Sequence, residues 1–152
     1  MLPKTHILIN LGISLILLFF LPPFGVLIFF LSSFLIDVDH YLYYVAIKKR
    51  FSLKSAYNWF TIRRNKLMQL SYKERKKHKH CILIFHGIEL IIILGFFTKF
   101  SPPLIYVLFG FITHLLEDLI VEYKSGVLEH KLSLIYAIYD HLLKKKLKHI
   151  SD

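Results

Sequence analysis

The chain has 152 residues, a formal net charge of +10 and a hydrophobic fraction of 55%. That length admits one compact unit rather than two full soluble domains. A mean hydropathy of +0.53 leaves more apolar surface than a soluble protein of this size can hide. The single cysteine, Cys81, excludes an internal disulfide or a zinc–thiolate cluster.

The first apolar leg runs from about His6 to Leu21. It has a basic start like a secretion signal, but no small-x-small cleavage site precedes Leu21-Pro22-Pro23-Phe24. Apolar sequence then resumes, so the segment is expected to be retained. Leg two covers Phe24 to Ile36, leg three Cys81 to Phe97 and leg four Leu104 to Ile120. Pro22-Pro23 separates the first pair, and Ser101-Pro102-Pro103 the second. Proline suits a first helical turn and breaks a helix interior, so each Pro-Pro pair predicts a tight turn between two helices. The legs are short against the roughly 20 apolar residues a spanning helix needs. Polar residues at their inner ends bring them near that length, and re-entrant hairpins are the alternative. Asn10 and Glu89 lie inside legs and are expected to face protein rather than lipid.

Twelve of the 20 Lys and Arg residues fall between Lys48 and Lys79, and six more follow the last leg, from Lys124 to Lys148. This is the positive-inside pattern, so it predicts orientation without invoking a nucleic acid. The basic connection also carries Phe51, Leu53, Ala56, Tyr57, Trp59, Phe60 and Ile62. The tail carries Leu128, Leu132, Ile135, Tyr139, Leu142 and Leu147 at helical spacing. Both read as amphipathic helices lying in the membrane interface, drawn to anionic lipid headgroups. The expected fold is all-α: a polytopic membrane protein of four transmembrane helices, as two Pro-Pro-linked hairpins, with interfacial amphipathic helices. It forms a single membrane domain with hairpin one at 5–40, the cytoplasmic connection at 41–79, hairpin two at 80–120 and the basic tail at 121–152. Both termini are expected on the cytoplasmic side of the plasma (inner) membrane.

The halves resemble one another: His6 precedes Pro22, and His86 precedes Pro102, by the same sixteen residues. Helix starts and ends alternate sides, so this topology gathers His6, Asp37, Asp39, His40, His80, His86, His114 and Asp118 at one cytoplasmic face. Asp37 and His40, His86 and Glu89, and His114 and Asp118 are three or four residues apart and share helix faces. Carboxylate with imidazole suits zinc first, with iron or manganese as alternatives, and one or two ions could be held. A bound ion would lower the pKa of a water and supply a nucleophile for hydrolysis. The alternative is a set of boundary residues solvated near the headgroups. Burying ionisable groups in a membrane costs several kcal/mol unless they are paired, and this favours the metal reading. His78 is better read as solvated, and His130, His141 and His149 belong to the basic tail. Neither a Gly-rich phosphate loop, an H-E-x-x-H pair nor a G-x-S-x-G elbow occurs. Ser32 and Ser33 read as small residues at a helix–helix contact.

Thr5-His6, Ile36-Asp37-Val38-Asp39-His40, a His-rich segment opening hairpin two, and Gly110 to Asp118 follow in that order. Over about residues 5 to 120 the chain resembles the membrane-bound metal-dependent hydrolase family, the YdjM-like inner-membrane hydrolases. That family carries an N-terminal His, Pro-Asp-x-Asp-His, His-Arg-Gly…His-Ser and Gly-x-x-x-His-x-x-x-Asp. Here Ile36 stands in place of the proline, and His86-Gly87 corresponds only loosely to the third element. The resemblance implies that His6, Asp37, Asp39, His40, His86, His114 and Asp118 are metal ligands or their near neighbours.

The function expected is a metal-dependent hydrolase at the cytoplasmic membrane face, acting on a phosphoester of a lipid or lipid-linked molecule, with Asp39 or Glu117 as general base. The alternative is a non-catalytic scaffold whose His/Asp cluster locks the two hairpins together through a structural metal or hydrogen bonds. Ion transport fits less well, because the charged residues lie at one face rather than near the midplane. A chain this small either carries the whole site or completes it as a homo-oligomer.

Overall fold

The computed structural model describes residues 3–75, 77–78, 81–125 and 133–143, and within them the chain is all-α. The helices are α1 (Pro3–Leu17), α2 (Pro23–Leu35), α3 (Val38–Lys48), α4 (Leu53–Gln69), the short α5 (Tyr72–Arg75), α6 (Ile88–Phe97), α7 (Leu104–Ser125) and α8 (Leu134–Leu143). They belong to two compact units. One combines Met1–Asp37 with Ile88–Lys124, and the other combines Val38–Gly87 with Ser125–Asp152.

The first unit contains both Pro-Pro turns. Pro22 is the extended residue before α2, and Pro23 occupies the first turn, where a missing N–H costs nothing. α1 packs on α2. α7 meets α2 at Gly110, where an added Cβ would collide with Ser32 Oγ and lie 2.7 Å from the Phe29 carbonyl oxygen. The Ser32 and Ser33 hydroxyls donate back to the Phe29 and Phe30 carbonyls of their own helix. Two small serines and a glycine thus let two backbones approach closely, as the sequence predicts. Gly25 does the same for Tyr106, whose ring would sit 2.5 Å from a Cβ there.

Burial on α1 and α7 runs opposite to that of a soluble protein, while α2 buries Val26 and Phe29. α1 buries His6, Asn10 and Ser14, one stripe at four-residue spacing, and leaves Leu8, Leu15 and Ile16 more than half exposed. α7 buries His114, Glu117, Asp118 and Glu122, while Phe109, Leu116 and Ile120 face outward. Hydrocarbon accepts apolar side chains at no cost, whereas polar groups there must find partners inside the protein, so lipid favours this pattern. Pro23–Lys48, with 26 residues, and Leu104–Lys124, with 21, are long and apolar enough to cross a membrane. At about 1.5 Å per residue Leu104–Lys124 reaches the roughly 30 Å hydrocarbon core, while Pro23–Lys48 is divided into α2 and α3 at Ile36–Asp37.

The other two legs are shorter than expected, with α1 at 15 residues and α6 at 10. Leg three begins as a helix at Ile88 rather than Cys81. The preceding residues, Cys81 to Gly87, belong to the second unit. There the Phe85 amide and the His86 ring are bonded to the Asp39 carboxylate, which holds this stretch out of a helix. Leg four extends past Ile120 to Ser125.

The second unit is built on α3 against α4. Lys49 turns the chain with φ of 55°, and Ser52 caps α4 by accepting from the Ser55 amide at 3.2 Å. The Tyr41 hydroxyl ties the turn down by donating to the Phe51 carbonyl at 2.8 Å. Tyr43, Tyr44, Ala56, Trp59 and Leu83 form its core. Lys48 and Arg63 lie over the Trp59 ring, 5.9 and 5.7 Å from its centre. At the end of α4, Arg75 Nε donates to the Leu70 carbonyl at 2.9 Å. The expected helix in the connection is therefore present as α4, and the tail contributes α8. The remaining tail positions, including His130, Lys131, Lys144 to Lys146, Lys148 and His149, lie outside the described residues, as does His80.

Candidate metal centre

In the first unit, α1 and α7 bring together residues more than a hundred positions apart. His6 Nδ1 lies 2.6 Å from Glu117 Oε2. Its other nitrogen, Nε2, is buried 3.3 Å from Asp118 Oδ1, outside hydrogen-bond geometry. His114 stacks on His6 with ring centres 4.0 Å apart and planes inclined by 20°. Its Nδ1 is 2.7 Å from the Ser33 carbonyl oxygen. A carbonyl only accepts, so this nitrogen carries a proton, and in the neutral ring Nε2 keeps its lone pair. That Nε2 faces Asp37 Oδ1 at 3.6 Å and Asp118 Oδ2 at 3.9 Å. Both imidazoles are fully buried, and Asp118 is 4% exposed.

Two imidazole nitrogens therefore point at carboxylate oxygens in a buried place, and such an arrangement needs positive charge to persist. Either the rings are protonated or a cation sits among them. One donor atom from each of His6, His114 and Asp118 falls within a 4.8 Å group. Zinc takes nitrogen and oxygen donors at about 2.0–2.2 Å, so tetrahedral neighbours stand roughly 3.3–3.6 Å apart. Within this group the 3.3 Å separation of His6 and Asp118 matches that spacing and the 3.9 Å separation of His114 and Asp118 is wider; Asp37 stands 3.6 Å from His114. The donor set fits a divalent ion of borderline hardness.

The surrounding residues also suit a metal site. A ligating histidine normally passes its second N–H to a carboxylate or a carbonyl. Glu117 does this for His6, and the Ser33 carbonyl does it for His114. Asn10 supports the same helix turn by donating to the His6 carbonyl at 2.9 Å.

In the second unit, Asp39 collects three contacts. Its Oδ2 accepts from the Phe85 amide at 3.0 Å and lies 3.0 Å from His86 Nδ1, and its Oδ1 is 3.1 Å from His40 Nδ1. The two rings meet edge to face at 4.9 Å. Asp39, His40 and His86 form another group able to hold a cation. Asp39 and His86 are buried, while a quarter of the His40 side chain is exposed.

No protein-family model, curated protein or solved structure matches this chain. The residues singled out from sequence fall in both units: His6, Asp37, His114, Glu117 and Asp118 in the first, and Asp39, His40 and His86 in the second. Asn10 is fully buried as expected, and Glu89 is half-buried. Three buried groups escape a reading by residue type. The Ser33 carbonyl is a backbone group and has no signature. Ser14 extends the buried stripe of α1, and Glu122 lies four residues beyond Asp118 on the buried face of α7. The four-residue spacing His114–Asp118–Glu122 was the signal available for the last of these.

Proposed function

We propose that this chain is an integral membrane protein that binds a divalent transition-metal ion through His6, His114 and Asp118, with Asp37 alongside, and uses it in hydrolysis. The observation that carries the reading is the convergence of two buried imidazole nitrogens on carboxylate oxygens, each ring's other nitrogen being already engaged. In this reading the four apolar legs form two membrane hairpins. α1 pairs with α2 and α6 with α7, Leu104–Lys124 crosses the bilayer, and both termini lie in the cytoplasm.

The bound ion would supply a nucleophilic water at neutral pH and polarise a phosphoryl oxygen. Glu117 and Asp39 act as orienting carboxylates that hold His6, and His40 with His86, in one tautomer. The substrate class is a phosphoester on a lipid or lipid-linked molecule, because a site in a membrane protein with a strongly basic connection meets anionic headgroups first. The resemblance to the membrane-bound metal-dependent hydrolases supports the same class. Zinc is the first choice, followed by iron or manganese.

Elemental mass spectrometry on detergent-purified protein tests this directly. Near-stoichiometric metal in the wild type, lost in His114→Ala/Asp118→Asn together with turnover of lipid phosphoesters, is the expected result. A metal-free wild type would sink the proposal.

One observation favours a second reading. The 2.6 Å contact between His6 and Glu117 joins α1 to α7 without any ion. A scaffold locked by this pair would lose thermal stability in His6→Ala or Glu117→Ala while showing no turnover on any lipid.

A further inference from the structure

The second unit carries apolar surface that its own core does not use. On α4, Leu53, Tyr57, Arg64 and Met68 recur at intervals of four and seven residues and so share one face. The three apolar members are 70%, 41% and 39% exposed. Shifted by one position, Lys54, Asn58, Asn65 and Gln69 form a parallel polar row, also exposed. The core-facing side of the helix is Ala56, Trp59 and Arg63. α8 is more one-sided still. It buries Ala137 and Asp140 and turns Ile135, Tyr139, Leu142 and Leu143 outward, each at least 60% exposed.

Water would penalise both helices, since their apolar rows gain nothing there. Hydrocarbon alone would penalise α4, whose polar row and cations would lose their solvent. An environment apolar on one side and wet on the other satisfies both, and a bilayer interface is such an environment. Charge narrows the partner. Arg64 lies within the apolar row, Lys54 beside it and Lys49 and Arg50 just before α4 in sequence, and no acidic residue lies between Asp39 and Glu74. We propose that the second unit is a lipid-binding module that seats the outer faces of α4 and α8 in the headgroup layer and selects anionic phospholipid through Lys54 and Arg64. This rests on the membrane reading above, but not on metal binding or hydrolysis.

The test uses the full chain in a Cys81→Ala background, reconstituted into phosphatidylcholine vesicles with and without phosphatidylglycerol. An environment-sensitive fluorophore is attached singly at Leu53→Cys, Leu142→Cys, Asn58→Cys or Leu116→Cys. Leu116 lies on the exposed face of the spanning helix α7 and reports membrane insertion itself. Acyl-brominated lipid is expected to quench the labels at Leu53, Leu142 and Leu116, and aqueous iodide to reach Asn58 alone. Lys54→Gln/Arg64→Gln is expected to lower the preference for brominated phosphatidylglycerol over phosphatidylcholine at the Leu53 label by roughly fivefold per cation removed. Iodide access at Leu53 and Leu142 with the Leu116 label still quenched by lipid would overturn the module and leave the membrane reading standing. Loss of lipid quenching at all three would overturn both. Embedded labels whose lipid preference ignores the two charges would overturn the anionic selectivity.

Discussion

His6 and His114 each commit one ring nitrogen to a fixed acceptor, Glu117 and the Ser33 carbonyl, and aim the other toward Asp118. The division of labour predicts unequal effects for neighbouring carboxylates. Asp118→Asn removes a proposed ligand and should abolish stoichiometric metal. Glu117→Ala should leave the ligands in place but free the His6 ring, lowering metal affinity on the order of 10–100-fold. Glu117→Gln keeps an oxygen able to accept from His6 Nδ1 and should recover much of that loss. Competition with a chelating dye of known affinity, run on the three variants in detergent, measures the series. Equal affinity in wild type and Glu117→Ala would separate Glu117 from the site. Residue types alone marked His6, His114 and Asp118, because carboxylates and imidazoles are expensive inside apolar legs. Which nitrogen each ring presents was not legible, since that depends on an acceptor 81 residues away in sequence for His114 and 111 away for His6.

At the scale of single elements, the contact between α2 and α7 depends on the absence of one side chain. Gly110→Ala places a methyl against Ser32 Oγ and 2.7 Å from a backbone carbonyl, and backbone cannot move aside as a flexible side-chain tip can. The expected loss is about 1–3 kcal/mol, read as a lowered thermal midpoint in detergent. Gly12, with nothing within 4 Å of a Cβ, is the matched control and should tolerate alanine. In the second unit Trp59 fills the contact between α3 and α4, so Trp59→Ala should cost roughly 3–5 kcal/mol.

α5 offers a pH test outside both candidate membrane spans. The Ser71 hydroxyl and amide both donate to Glu74 Oε2, at 2.6 and 2.8 Å, and the hydroxyl chiefly holds the Glu74 carboxyl below its ordinary pKa. A lowered pKa means the ionised form is favoured by folding, so the cap contributes fully above the ordinary glutamate range. It is lost as pH falls through the depressed value. The Ser71 amide resonance should shift in that acidic window, and Glu74→Gln should remove the shift. This capping box, Ser71 followed three residues later by Glu74, is visible in the sequence. The non-helical Cys81–Gly87 stretch is not, because apolar residues there continue the pattern of leg three while Asp39, far back in the chain, withdraws the Phe85 amide.

For the whole molecule, the inverted burial of α1 and α7 predicts that the protein stays with the membrane after alkaline carbonate extraction. Reporters fused to each end should both register the cytoplasm. An activity-based periplasmic reporter that lit up at either end would overturn the proposed orientation.

Composition and the two Pro-Pro pairs sufficed to read an all-α chain of apolar legs broken at Pro-Pro turns, because each acts through local chemistry: a missing N–H, an uninterrupted apolar run. The small-residue contact of Ser32 and Ser33 was legible for the same reason. Tertiary structure alone decided which polar residues meet. It paired His6 with Glu117 and Asp118, set His114 against the Ser33 carbonyl, and gathered Asp39 with His40 and His86 in the other unit. Spacing along a helix places a side chain on a face. Only the packing of one helix against another determines what that face meets, and whether a buried imidazole nitrogen ends facing a carboxylate.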